Sequence, residues 1–403
     1  MTRRPAGLHP TVAILASTHL LVDGYTNIYA PLLPLLIPRL HLSLAAAGVL
    51  QMCFLVANSV AQLGFGHIAD RWRPRVLLVV GPIAAVSLLS LIGLATSPLM
   101  LGLILVAGGL GAAAFHPPAA ALVHRLGGKG RGLAMSVHIT GGSLGFAVGP
   151  LIFASFAERQ GLQWTPLFMT PGLAALAFLL PRVPPIEREH GEVVGFRALT
   201  PYRKPLALLY VVVVIRTLVA LSFSTFLPVM LTERGMSLAG AGMAMAVYLF
   251  ASSVGGFLGG PLADRWGARN VIIWSLVLAV PFMAWAPAQT GWTLVVIVSI
   301  GGFLLQSTLP VNVTFGQLIA PISAATVSSL MMGFAWGTGG LSVPFVGMLA
   351  DRVGIEQALV YMGFLPLVAA MCAVPLPSGI LDRERSRAAG VGPGPVRGED
   401  VAP

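Results

Sequence analysis

Two short stretches, GHIADRWRPR (residues 66–75) and GPLADRWGAR (residues 260–269), are near copies of each other. Gly66 and Gly260, Asp70 and Asp264, Arg71 and Arg265, Trp72 and Trp266, and Arg75 and Arg269 are each 194 residues apart. The same offset relates LPLL (33–36) to LPVM (227–230) and SLAAAG (43–48) to SLAGAG (237–242). It also relates Gly145 and Pro150 to Gly339 and Pro344. One such match is easy to obtain by chance, but one offset holding along the whole chain is not. The chain is therefore two homologous halves.

Composition says what each half is made of. Hydrophobic residues are 56% of the chain and charged residues 9%, against roughly 25% charged in soluble domains. Such a chain cannot keep a soluble surface, so it reads as a polytopic membrane protein. A spanning helix needs about 20 apolar residues. Residues 76–124 carry no Asp, Glu, Lys or Arg and make two spans broken near Pro98. Residues 270–350 are equally uncharged and make three, broken at 286–292 and 320–323. The other spans are 10–38, 42–66, 131–157, 162–182, 205–231, 236–260 and 355–377. The expected fold class is thus all-α, with twelve transmembrane helices in two pseudo-symmetric six-helix bundles.

Charge sets the orientation and the domain organisation. Of the 24 Lys and Arg residues, 19 fall in loops and tails on the side of the N-terminus. Only Arg39, Arg159, Arg234 and Arg352 fall in loops on the other side. By the positive-inside rule both termini are expected in the cytoplasm. The net charge of +10 is then topogenic, and nucleic acid is not an expected partner. The stretch RVPPIEREHGEVVGFRALTPYRK (182–204) separates the sixth and seventh spans. The domains expected are a first bundle at 1–182, a cytoplasmic linker at 183–204, a second bundle at 205–377 and a Gly/Pro-rich disordered tail at 378–403. The N-terminal MTRRPAGLHP leads into a retained helix rather than a cleaved signal peptide. Cys53 and Cys372 sit in apolar segments without nearby cysteine or histidine partners, so neither a metal nor a cofactor is expected.

Outside the loops two strong charges remain, Asp23 in the first span and Arg216 in the seventh. At 1.5 Å per residue they lie about 20 Å and about 17 Å from the starts of their helices, near the midplane. A charge there costs roughly 2.5–3.5 kcal/mol on insertion scales, so it persists because it pairs, faces water or takes part in transport. Two readings stay open: a fixed Asp23–Arg216 bridge between the halves, or a carboxylate that exchanges protons. His19, Asp23 and Asn27 recur every four residues and so share one helix face. On that face His19 is placed either to tune Asp23 or to serve as a hydrogen-bonded packing partner. His116 precedes Pro117 and Pro118, whose rings free helix carbonyls next to it, and is a candidate for substrate binding or proton relay. Gln306, Asn312 and Gln317 are candidate cavity groups in the tenth span, and Trp336 a candidate pocket wall.

The duplicated loop, G-x-x-x-D-R-x-G-x-R, resembles the signature of the major facilitator superfamily of secondary transporters. The first copy has Arg73 in place of the glycine, followed by Pro74, whereas the second keeps Gly267. HLLVD (19–23) and FHPPAAALVHRLGGKGRGLAMSVHITGGSLGFAVGP (115–150) are further similar to the fosmidomycin resistance protein family. Pro118 stands where that family has glutamate, and His138 where it has phenylalanine. The resemblance implies that spans one, four, seven and ten line a central cavity. Asp23 and His19 would then couple protons, and Arg216, His116, Asn27, Gln306, Asn312 and Trp336 would contact substrate. It gives Gly66, Asp70, Arg71, Arg75, Gly260, Asp264, Arg265, Gly267 and Arg269 a gating role, where plain topogenic charge is the simpler alternative. It assigns Gly141, Gly142, Gly145, Gly149 and Pro150 to helix packing, as in the glycine–proline motif of drug:proton antiporters.

The function these residues lead us to expect is proton-coupled efflux of a small anionic compound or drug by alternating access. The protein would act as a monomer in a bacterial inner membrane, with protons, substrate and lipid as its partners. A proton-coupled importer of an organic acid is the alternative. A polytopic membrane enzyme is opposed by the lack of any Asp-rich motif in the inner loops, and a sensor or scaffold by the lack of room for a folded appendage.

Overall fold

The computed structural model describes residues 9–71, 74–127, 131–184, 196–320, 327 and 330–377. Among them every regular element is helical, as a bilayer requires of a chain that must pair its own backbone N–H and C=O groups. The first half contains α1 (Pro10–Thr26), α2 (Tyr29–Leu40), α3 (Leu44–Arg71), α4 (Pro74–Ser90), α5 (Pro98–Gly127), α6 (Arg131–Gln160) and α7 (Met169–Leu179). The second contains α8 (Arg203–Glu233), α9 (Leu238–Trp266), α10 (Ala268–Trp285), α11 (Gly291–Ile319), α12 (Ala335–Leu341), α13 (Val343–Val353) and α14 (Ile355–Ala373). Among the described residues eleven stretches are long and apolar enough to cross a membrane. The eleventh expected span corresponds to α12 and α13, which follow a π-helical turn at Leu330–Phe334 and residues outside the described set.

The first span differs from the single helix expected over 10–38. It is broken at Asn27 and Ile28, between α1 and α2. Pro31 has no N–H to bond the carbonyl of Asn27, and its ring crowds that carbonyl, so a continuous helix is disfavoured there. The expected break at 320–323 is met only at Ala320, which caps α11; the rest of it lies outside the described residues. So do linker residues 185–195, the tail 378–403 and the side chains of Asp70 and Arg71.

Glycine decides how closely the helices approach. A Cβ on Gly145 would lie 2.1 Å from the Leu20 carbonyl oxygen, and one on Gly141 would lie 2.2 Å from that of Ala16. These positions bring the backbones of α1 and α6 into contact. In the second half Gly255 and Gly259 do the same for α9 against α11, at the carbonyls of Phe303 and Ser307. Small residues at four-residue spacing are how apolar helices associate when lipid removes the hydrophobic drive.

The two halves meet where α3 packs on α13, α6 on α9 and α2 on α8. Leu44, at the start of α3, is hydrogen-bonded to Asp351 near the end of α13. Both residues therefore lie at one end of the molecule, here called the distal side. Arg269 bonds the carbonyl of Val374 at the opposite end, the termini side. On the distal side a Cβ on Gly48 would meet the Pro344 backbone at 2.8 Å, and one on Gly242 would meet the Pro150 carbonyl at 2.7 Å. The distal side is closed.

Candidate functional site

α1 and α6 run in parallel with a fixed register. His19 Nδ1 contacts the carbonyl of His138 at 2.9 Å, and Asn27 donates to the carbonyl of Phe146 at 2.9 Å. Between these two rungs sits Asp23, buried with 7% of its surface exposed. The polar stripe of α1 thus faces α6, in the bundle interior. His19 Nε2 lies 3.1 Å from Asp23 Oδ2, and His116 Nε2 of α5 lies 3.6 Å from Asp23 Oδ1. His138 completes the group, its ring stacked on that of His19 at 4.3 Å between centroids. Phe115 closes the apolar side, 5.9 Å from the His19 ring.

This arrangement fixes a proton count. A carbonyl oxygen only accepts, so the Nδ1 that faces His138 must carry hydrogen. The other ring nitrogen of His19 then confronts a carboxylate oxygen at 3.1 Å. Two bare acceptors would repel at that distance, so a proton lies between them, on the imidazole or on the carboxyl. One nitrogen of each of His19 and His116 and a carboxylate oxygen of Asp23 lie within 4.8 Å of one another. A shared proton satisfies the His19–Asp23 contact without a metal ion.

Arg216 is elsewhere. It is fully buried in α8, donating from Nη1 to Gln306 Oε1 of α11 and from Nη2 to Thr217 Oγ1 at 3.0 Å. Its Nε has no partner, and among the described residues no carboxylate forms an ion pair with it. The structure therefore does not contain the Asp23–Arg216 bridge that the sequence left open. His116 pairs with Asp23, and Arg216 with Gln306 and Thr217. Asn312 is buried in α11 with neither amide atom bonded, and Trp336 is half-buried in α12.

The remaining sequence candidates divide by location. Gly66 faces Pro117, with 3.8 Å to a Cβ placed on it. Arg75, Asp264 and Arg265 are exposed at helix ends on the termini side. Gly267 ends α9 with φ +84°, a backbone state that favours glycine. Arg269 donates through Nε to Val374. Gly141, Gly145 and Gly149 lie against the α1 backbone, and Pro150 meets α9. Gly142 also lies against α1, but on side chains: its Cβ would stand 2.6 Å from Asp23 Oδ2 and 2.6 Å from His19 Nε2. Its neighbour Gly141 faces the α1 backbone; one step of about 100° around the helix separates the two directions.

Sequence reasoning undervalued His138, whose carbonyl and ring both touch His19. The signal present was its place four residues before Gly142, one helical turn away. Thr217 and Asp351 were missed outright, because each acts through a tertiary contact that no local pattern marks. We expect His138→Phe to retain transport, because the bond to His19 comes from the backbone and an aromatic ring still stacks. Removing the buried, unpartnered Nδ1 should also raise stability by about 1 kcal/mol. A lower thermal midpoint in detergent, or lost transport, would show that this imidazole is itself required.

The family model described as Major Facilitator Superfamily matches residues 15–240 and 208–390. The Fosmidomycin resistance protein of Escherichia coli (strain K12) is 30% identical over 372 residues, covering 89% of this chain and 90% of that one. An uncharacterized transporter of the same type from Bacillus subtilis (strain 168) is 28% identical over 388 residues, covering 92% and 93%. In fold, a bacterial homologue of the human lysosomal transporter Spinster superposes with a TM-score of 0.77 at 19% identity, covering 93% of this chain and 97% of that one. The nucleoside transporter NupG gives 0.72 at 14% identity, covering 92% and 99%. With a duplicated loop, two matching halves and family matches along nearly all its length, the chain belongs to the Major Facilitator Superfamily and is a multi-pass membrane transporter, not an enzyme.

Proposed function

We propose that the protein expels a small anionic compound, of the fosmidomycin type, in exchange for protons. The observation that carries this reading is the His19–Asp23 contact, which needs one proton and which His116 and His138 surround. Arg216, buried in the other half without an acidic partner among the described residues, supplies the cation for the substrate, with Gln306, Asn312 and Trp336 as further contacts. His116 belongs with the proton group in this reading, and Asn27 holds α1 in register on α6. Export is favoured by the similarity to a fosmidomycin resistance protein.

The two bundles, 1–182 and 205–377, rock about this midplane as a monomer, with 183–204 as linker and 378–403 as tail. With 19 of 24 basic residues beside the termini, both termini are cytoplasmic in a bacterial inner membrane and the distal side faces outward. Asp70, Arg71, Arg75, Asp264, Arg265 and Arg269 hold the termini side when it closes, with Gly66, Gly260 and Gly267 shaping the turns. The direct test is flux in everted vesicles. An imposed pH gradient, acid inside, should drive fosmidomycin accumulation, and a collapsed gradient should stop it. Accumulation indifferent to the gradient would overturn proton coupling, and resistance unchanged on expression in an efflux-deficient host would overturn the substrate.

A further inference from the structure

The glycine pair in HITGGSLG (138–145) divides its work. Gly141 and Gly145 face the α1 backbone, whereas Gly142 faces the two atoms that share the proton. A Cβ there would also stand 2.7 Å from His19 Cε1. The atoms it meets are ends of side chains, which can move, so the helices need not separate. We infer that Gly142 is a positioning residue: by lacking a side chain it lets the His19–Asp23 pair close against α6, and any side chain there holds the pair apart. Four residues earlier on the same helix, the His138 carbonyl orients the ring that Gly142 admits. This inference rests on the proposed proton coupling. The titratable groups around the pair are His116 from α5 and His138 from α6; α7 has none, and α4 only Arg75 at its exposed start.

The test compares pH profiles of gradient-driven fosmidomycin flux for wild type, Gly142→Ala, Gly145→Ala, His19→Ala and the Gly142→Ala/His19→Ala double variant. Gly142→Ala should fold and reach the membrane, with its profile displaced by about one pH unit. In the His19→Ala background, where the obstructed ring is gone and only Asp23 Oδ2 still meets the Cβ, the same change should displace the profile less. Gly145→Ala, which strikes backbone, should lower yield and thermal stability without moving the profile. A Gly142→Ala profile that superposes on wild type overturns the positioning role, as does an equal displacement with and without the imidazole. A wild type that lacks pH dependence instead overturns proton coupling itself.

A second observation stands independently on the distal side. Asp351 Oδ1 accepts from the Leu44 N–H at 2.8 Å, and its Oδ2 from the Ala45 N–H at 2.9 Å. Ser43 Oγ takes the next donor, from Ala46, at 3.1 Å. Three of the four unpaired N–H groups at the start of α3 are thereby satisfied, two of them by the opposite half of the protein. By contrast α9, the repeat-equivalent helix, is capped by its own Ser237, whose Oγ accepts from Gly240. The segment GMLADRVG (347–354) has the Gly-x-x-x-Asp-Arg-x-Gly spacing of residues 260–267, and Gly354 has φ +87° beside +84° for Gly267. It lies at the other end of the molecule. Gly347 brings the backbones together, since a Cβ there would stand 2.3 Å from the Leu44 carbonyl.

The geometry points to Asp351 as a latch that holds the distal side closed by capping α3 across the halves. The bonds exist only while α3 and α13 touch, so breaking them favours distal opening alone. Spin labels at Arg39→Cys and Thr290→Cys, in a Cys53→Ser/Cys372→Ser background, report the distal separation in nanodiscs. Asp351→Ala should raise the ratio of distal-open to distal-closed populations about 10-fold. Asp351→Asn, which keeps one acceptor, should raise it less, and Arg352→Ala, its exposed neighbour, should not. Distance distributions that superpose for Asp351→Ala and the parent, or that change equally in Arg352→Ala, would overturn the latch.

Discussion

Asp23→Asn should leave the protein folded and abolish gradient-driven transport. Asparagine has nearly the shape of aspartate, and its Nδ2–H can donate to His19 Nε2 in the tautomer that the His138 carbonyl imposes. The contact that needed a shared proton is then satisfied permanently by an amide hydrogen. Packing against Gly142 is retained, so expression and thermal midpoint should match wild type. What is lost is the ability to release that hydrogen, and with it the coupling. Flux driven by a pH gradient should fall by about 100-fold or more, the scale on which a positioned acid–base group acts. Exchange of labelled for unlabelled substrate without a gradient should persist. Wild-type accumulation in Asp23→Asn vesicles would remove Asp23 from the coupling step.

Arg216 gives the second large effect. A guanidinium with no exposed surface and no carboxylate partner among the described residues is costly to maintain, and its neighbours Gln306 and Thr217 are neutral. In the proposed function an anionic substrate completes the charge balance when it binds. Arg216→Ala should therefore weaken binding of an anionic substrate about 10- to 100-fold, the range for hydrogen bonds to a charged group. Arg216→Lys should rescue little, because a compact ammonium does not present the fixed fork that reaches Gln306 and Thr217 together. Loss of fosmidomycin resistance with normal membrane abundance is the expected phenotype. Unchanged binding by calorimetry in Arg216→Ala would assign the cation to structure alone.

The two substitutions also separate the halves chemically. Asp23, His19, His116 and His138 form one group on α1, α5 and α6, and Arg216 with Gln306 another on α8 and α11. Sequence position alone placed Asp23 and Arg216 as near-symmetric midplane charges and left a clamp between them open. Their actual partners come from within their own halves. Helix register puts His19 one turn from Asp23, and neighbouring helices of the same half bring His116 to Asp23 and Gln306 to Arg216.

Hydrophobic length, the 194-residue repeat and the distribution of arginine determined, from sequence alone, a duplicated six-plus-six helical membrane protein and the neighbourhood of its polar residues. Those quantities are one-dimensional, and lipid makes them decisive by forbidding an unpaired backbone. Only the tertiary structure decided what each polar atom faces: that the first span breaks at Asn27 and Ile28, that Gly142 rather than Gly141 lies beneath the proton pair, and that Asp351 caps the opposite half. Each of these depends on the azimuth of a residue on its helix and on the register between helices. Adjacent residues differ by about 100° in direction, so Gly141 meets backbone while Gly142 meets the site. A sequence pattern records which residues recur; it does not fix the rotation of one helix against another, which close packing of glycine against carbonyl does.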